Sequence, residues 1–259
     1  MTDWIATILL GVIEGITEFL PISSTGHLLV AEHWLGARSD LFNVVIQSGA
    51  MLAVVAIYRE RLLQLAVGFA RRENRDYVLK LGVAFAITAV LGLLVAKLGF
   101  KLPTSVTPVA WALVLGAVWM LGAESFAARK PPSTEISWTT AILVGVAQVV
   151  AAIFPGTSRS AATIFVAMVA GTTDRGAATD FAFLVGIPTL FAAGGYELMK
   201  QAKAGAPHED WAALGVAFVV SMVTAFVAVK WLLGYIRAHR YTAFAVYRVA
   251  LGAALLALA

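Results

Sequence analysis

Glu14 and Glu18 stand four residues apart in GVIEGITEFLPISSTGH, a stretch that is otherwise apolar until its last residues. On a helix that spacing places both carboxylates on one face, about one turn apart. Neither has a basic residue at helical spacing, and charge in hydrocarbon is costly, so a counter-charge has to come from elsewhere. A hard divalent cation, Mg2+ or Ca2+, suits the pair because both ions take oxygen ligands. A proton shared between the two acids, or an ion pair with an arginine of another helix, would also answer the need.

PISSTGH supplies Ser23, Ser24 and Thr25 ahead of a helix expected to start near Gly26, with His27 in its first turn. A helix start offers free N–H groups and the positive end of the dipole, which is an anion site. Capping accounts for one hydroxyl, not for three and an imidazole. His27 suits a nucleophile or a general acid–base, whereas His33, His208 and His239 have no such company and read as structural. A second cluster, PGTSRSAAT, brings Thr157, Ser158, Arg159, Ser160 and Thr163. A guanidinium among hydroxyls at a helix start is a phosphate clamp. An ion pair of Arg159 with Glu14 or Glu18 is compatible with that role in a resting site. One cluster thus offers acid and nucleophile candidates, and the other offers a grip on phosphate. Gln47 and Asp180 lie in or near apolar spans and could support the site from behind, packing or capping being the plainer role for each.

Holding such groups requires elements that tolerate them in lipid. The chain has 259 residues, 60% of them hydrophobic, and a mean hydropathy of +0.85, too apolar for an ordinary soluble domain. Apolar runs of roughly 17–25 residues recur along it, the span of a bilayer core. These features predict an all-α polytopic membrane protein with one membrane domain, 1–259. The net charge of +4 is modest and its basic residues fall in short loops, which argues against nucleic acid. With no cysteine there is no disulfide or thiolate metal site. The first segment lacks a basic n-region and a small-residue cleavage site, so it is expected to be retained.

Full spans are expected near 41–57, 78–96, 106–123, 177–199, 211–230 and 242–258. Segments 4–36 and 138–171 differ: each is apolar, breaks at a proline and a Ser/Thr/Gly cluster, and resumes as a short apolar helix. Two half-helices meeting at a polar tip form a re-entrant hairpin, tolerated where protein or a wet cavity satisfies the backbone. The two segments also echo each other without gaps, pairing Gly11 with Gly145, Glu14 with Gln148, Pro21 with Pro155 and Ser24 with Ser158. Each hairpin precedes three transmembrane helices, an odd number, so the second copy is inverted: an inverted-topology repeat, about 1–130 and 135–259, with its site at the midplane. Arg59, Arg61, Arg71, Arg72, Arg75, Lys80, Arg129, Lys130, Arg175, Lys230, Arg237 and Arg240 fall on one side. The other side has Lys97, Lys101, Lys200 and Lys203, with Arg38 beside the first hairpin. The crowded side is expected to be cytoplasmic, with both termini and the mouth of the first hairpin outward.

In its two motifs the sequence resembles the bacterial undecaprenyl-diphosphatase (bacitracin-resistance) family. EGITEFLPISSTGH corresponds to that family's acidic, hydroxyl-rich first motif and PGTSRSAAT to its second, and the resemblance runs from the first helix to the last. It implies an enzyme of the bacterial cytoplasmic (inner) membrane that removes the terminal phosphate of undecaprenyl diphosphate, recycling the lipid carrier for peptidoglycan synthesis. It implies a divalent-cation requirement and a site open to the periplasmic side. Carried over by position, the functional residues are Glu14, Glu18, Ser24, His27 and Arg159, with Ser23 and Thr25 in support. Thr157, Ser158 and Ser160 join Arg159 as phosphate-binding candidates. Ser24, His27 or a water activated by His27 remain alternatives for the attacking group. The prenyl tail and membrane lipids are the expected partners, and a homodimer is allowed though nothing specifies it. The rival class is a transporter or flippase of a phosphorylated prenyl lipid, because inverted repeats with broken helices are also a transporter plan.

Overall fold

The computed structural model describes residues 3–98, 106–204 and 210–258; Lys101 and His208 lie outside them. The described residues form helices and no strand: α1 Trp4–Thr17, α2 Ser24–Leu35, α3 Asp40–Ile57, α4 Arg59–Val67, α5 Arg72–Lys97, α6 Val106–Ala127, α7 Trp138–Ile153, α8 Arg159–Val169, α9 Arg175–Ala204, α10 Trp211–Ala238 and α11 Thr242–Leu258. The protein is an all-α polytopic membrane protein. Five helices, α3, α5, α6, α9 and α10, are long and apolar enough to cross a membrane, while α11, at 17 residues, groups with the shorter apolar helices.

The expected spans all correspond to helices, several of them longer than hydropathy alone marks. α5 starts at Arg72, before its apolar run, because polar residues make good helix at the edge of the hydrocarbon. α10 continues to Ala238, beyond Lys230. α4 was not anticipated at all. It fills the basic connection between α3 and α5 and ends at Gly68, where the Asn74 side-chain amide donates to the carbonyls of Gln64 (3.3 Å) and Gly68 (3.2 Å).

Short polar residues set the helix starts. Asp3, Ser39, Ser137 and Asp210 each accept backbone N–H groups of the first turn of α1, α3, α7 and α10. The helices then pack through small residues. α1 lies across α10 at Gly11, where a Cβ would come 2.7 Å from the Ala217 carbonyl oxygen. α7 lies across α5 at Gly145, where a Cβ would come 2.7 Å from the Ala84 carbonyl oxygen. Close approach through glycine replaces the hydrophobic driving force that lipid does not provide. α3 packs on α9 and α6 on α11, around a core that includes Ile164, Phe165, Met168, Phe181 and Tyr241, all nearly or fully buried.

Candidate active site

α1 and α2 form one broken hairpin, and α7 and α8 the other. α1 stops at Thr17, and Pro21, which has no N–H to give, keeps the chain from resuming a helix before Ser24. The turn closes on Ser23, whose φ of 75° is left-handed. Its hydroxyl accepts from the Gly26 N–H at 3.3 Å, capping α2. Its carbonyl accepts from the His27 ring at 2.7 Å. The second tip repeats the device: Pro155 and Gly156, then Ser158 at φ 69° capping α8 through the Ala161 N–H. A non-glycine residue in this region costs on the order of 1–3 kcal/mol, held here by the caps. The backbone thus makes Ser23 the counterpart of Ser158, one residue out of the gap-free pairing with Ser24. The sequence echo is in register at the prolines and slips within the turns, because the second tip has one more residue between its proline and its cap.

The two tips meet at Glu18. Arg159 donates from Nη2 to Glu18 Oε1, an ion pair whose side chains are 25% and 4% exposed. The Ser24 hydroxyl donates to Glu18 Oε2 at 2.5 Å. Ser160 donates to the Leu20 carbonyl at 3.2 Å, joining tip to tip, and Ser158 lies 3.0 Å from the Ser160 hydroxyl. Since the Ser160 proton goes to Leu20, Ser158 supplies the proton of that second bond. Thr163 returns its hydroxyl to the Arg159 carbonyl at 2.8 Å, stiffening the first turn of α8. Beside Glu18 and Arg159 a narrow cavity of about 20 Å³ reaches between Met51 and Phe183. That is room for about one water.

Glu14, one turn before Glu18, is fully buried, and both of its carboxylate oxygens lack a hydrogen-bond partner. A buried carboxylate left so costs several kcal/mol unless a cation, a proton or water meets it. The two oxygens therefore fit a hard cation. The fit is partial, because no group of three or more His, Asp or Glu able to hold a metal occurs among the described residues. Mg2+ in particular is commonly held by one or two carboxylates, with substrate phosphate oxygens and water completing its shell.

His27 is placed differently from Ser24. Its Nδ1 faces the Ser23 carbonyl, which can only accept, so Nδ1 carries the proton. Nε2 then accepts from the Tyr247 hydroxyl at 2.6 Å, with the two rings stacked 5.6 Å apart. No hydrogen bond or ion pair joins the His27 side chain to Glu18, Ser24 or Arg159 among the described residues. Thr25 is exposed in the first turn of α2, and Thr157 contributes its carbonyl, which accepts from Arg248 at 3.1 Å. Asp180 belongs to another cluster, accepting from Tyr58 at 2.5 Å. Gln148, the echo of Glu14, donates to Thr88 of α5 at 2.9 Å. Tyr247 and Arg248 were missed from the sequence. An arginine inside an apolar helix was the available signal, since intramembrane charge is seldom idle.

Two broken helix hairpins that bring a carboxylate, a hydroxyl and a guanidinium together at their tips give this polytopic membrane protein a candidate phosphoryl site. The family model described as "Bacitracin resistance protein BacA" matches residues 7–254. The chain belongs to that family. It is 66% identical over 258 residues to the undecaprenyl-diphosphatase of Rhizobium etli, covering 99% of this chain and 97% of the relative. It is 61% identical over 257 residues to the undecaprenyl-diphosphatase of Xanthomonas axonopodis pv. citri, covering 99% of this chain and 97% of the relative.

Proposed function

We propose that this protein is an undecaprenyl-diphosphatase: an integral membrane phosphatase that hydrolyses undecaprenyl diphosphate to undecaprenyl phosphate and inorganic phosphate. The observation that carries the chemistry is the Ser24–Glu18–Arg159 constellation at the joined tips. Full-length similarity to proteins named for this activity supports the substrate.

Glu18 accepts the Ser24 hydroxyl proton as Ser24 Oγ attacks the terminal phosphorus. The bond from that phosphorus to the bridging oxygen breaks, and undecaprenyl phosphate leaves. Water then attacks the phosphoserine: the phosphorus–Oγ bond breaks, Glu18 returns its proton to Ser24 Oγ, and the protons of the water leave with the inorganic phosphate. Arg159 leaves Glu18 to clamp two phosphoryl oxygens, bidentate and aimed at charge that grows in the transition state. The free N–H groups at the start of α8 add a fixed positive potential. Glu14, with Glu18 in support, would hold Mg2+ or Ca2+, which supplies neutralisation of the diphosphate charge. His27 orders the tip through Ser23 and Tyr247. Its engaged ring favours Ser24 over His27 as the attacking group.

The excess of arginine and lysine in the connections α3–α5, α6–α7 and α10–α11 favours a cytoplasmic side there. The site would then open to the periplasmic side of the bacterial inner membrane. The paired crossings of α1 on α10 and α7 on α5 support an inverted repeat. The test is phosphate release from undecaprenyl diphosphate by the purified full chain in detergent. One phosphate per lipid is expected, abolished by chelator and restored by Mg2+ or Ca2+; no release would overturn the reading.

A further inference from the structure

Arg248 carries a charge into α11 and is 0% exposed, the largest of the fully buried side chains among the described residues. All of its hydrogen-bond partners are main-chain carbonyls. Nε donates to Leu113 O at 3.2 Å. Nη1 donates to Pro21 O at 3.2 Å and Thr157 O at 3.1 Å. Nη2 donates to Ala112 O and Gly156 O, both at 3.1 Å. A guanidinium has five N–H groups, and each finds an acceptor. Pro21 belongs to the first tip, Gly156 and Thr157 to the second, and Ala112 and Leu113 to α6. Non-helical carbonyls at membrane depth need donors, and this one side chain satisfies three of them across two hairpins.

Two neighbouring features serve the same end. Tyr247, the preceding residue, reaches His27 on α2. On α6, Gly116 leaves the slot in which the guanidinium lies: a Cβ there would overlap Nη2 and come 2.9 Å from Cζ. Lysine would replace Arg248 only in part, having three donors at one point rather than five in a planar fork.

We infer that Arg248 is a positioning residue, locking the two re-entrant tips in one register so that Ser24 of the first and Arg159 of the second converge on the same phosphoryl group. The inference rests on the reading of the site proposed above. Its consequence falls on the chemical step. Attack by Ser24 needs alignment with the phosphorus, and a misplacement of about 1 Å can cost on the order of 100-fold. Capture of the lipid by its tail and phosphates tolerates more.

The experiment compares purified wild type, Arg248→Lys, Arg248→Gln, Gly116→Ala and Gly122→Ala for kcat and KM on undecaprenyl diphosphate, normalised to the folded fraction from size-exclusion chromatography. Gly116→Ala displaces the guanidinium while leaving Arg248 in the chain, so it decides the matter if the Arg248 variants fail to fold. A Cβ at Gly122, on the same helix, meets nothing within 4 Å. The expected result is a fall in kcat of at least about tenfold in Gly116→Ala and Arg248→Gln, KM within about threefold, a smaller fall in Arg248→Lys, and wild-type values for Gly122→Ala. Wild-type kcat in folded Gly116→Ala would overturn the inference, as would a raised KM at unchanged kcat or a loss confined to folded yield. A wild type that releases no phosphate would instead overturn the reading of the site beneath it.

Discussion

Glu14 and Glu18 differ in their surroundings, so their neutral variants should behave differently. Neither buried Glu14 oxygen has a hydrogen-bond partner, and the Arg159 charge that bears on it is already paired with Glu18, so Glu14→Gln removes a poorly compensated charge at nearly constant volume. The apo protein should gain about 1–3 kcal/mol, read as a higher Tm, while phosphate release falls more than about tenfold and loses its response to Mg2+ or Ca2+. Unchanged turnover at limiting cation would remove Glu14 from the metal role. Glu18→Gln strips Arg159 of its counter-charge and Ser24 of its proton acceptor together. Its turnover should fall further, with no gain in Tm. Arg159→Lys keeps charge but loses the fork, and a loss on the order of tenfold, about 1.4 kcal/mol of transition-state stabilisation, is expected in kcat/KM.

At the scale of elements, the tips are held by backbone that a side chain would disturb. Gly156 has φ +98°, and a Cβ there would lie 2.5 Å from the Val109 carbonyl oxygen and 2.9 Å from the Ala112 Cβ. Gly156→Ala should therefore destabilise by about 1–3 kcal/mol through strain and overpacking, seen as a lowered Tm and a lowered specific activity. Gly82, in the middle of α5, has open space where a Cβ would go. Gly82→Ala should be neutral or stabilising by about 0.5–1 kcal/mol, because it removes only backbone freedom. A reversal of this order in thermal unfolding would mean that the second tip is not the tightly packed element described above.

At the scale of the whole molecule, the proposed orientation rests on the charges of the connections. A chain without cysteine accepts single probes cleanly. Ala37→Cys, exposed beyond the end of the first hairpin, should be labelled by a membrane-impermeant thiol reagent in intact cells whose outer barrier has been opened. Arg71→Cys, exposed before α5, should be labelled only after the inner membrane is breached. The opposite pattern would invert the proposed topology and place the mouth of the first hairpin in the cytoplasm.

The class of fold was legible in the sequence because lipid leaves few choices: an apolar run of bilayer length has to be helix, and an interrupted one has to hide its tip. The acids, hydroxyls and Arg159 were legible for a related reason, since polar residues at membrane depth stand out against 60% hydrophobic composition. The sequence alone could not choose among cation, proton and arginine as the partner of the acids. The tertiary structure divided them, giving Glu18 to Arg159 and Ser24 while leaving both Glu14 oxygens without a hydrogen bond. Nor could it separate His27 from Ser24, which lie three residues apart, because the direction of each side chain depends on the left-handed turn at Ser23 and on a tyrosine of the last helix. The role of Arg248, though not its presence in an apolar helix, was hidden for the same reason. Its acceptors come from α6 and both tips, far apart along the chain, and carbonyl oxygens, which every residue has, leave no mark in a sequence.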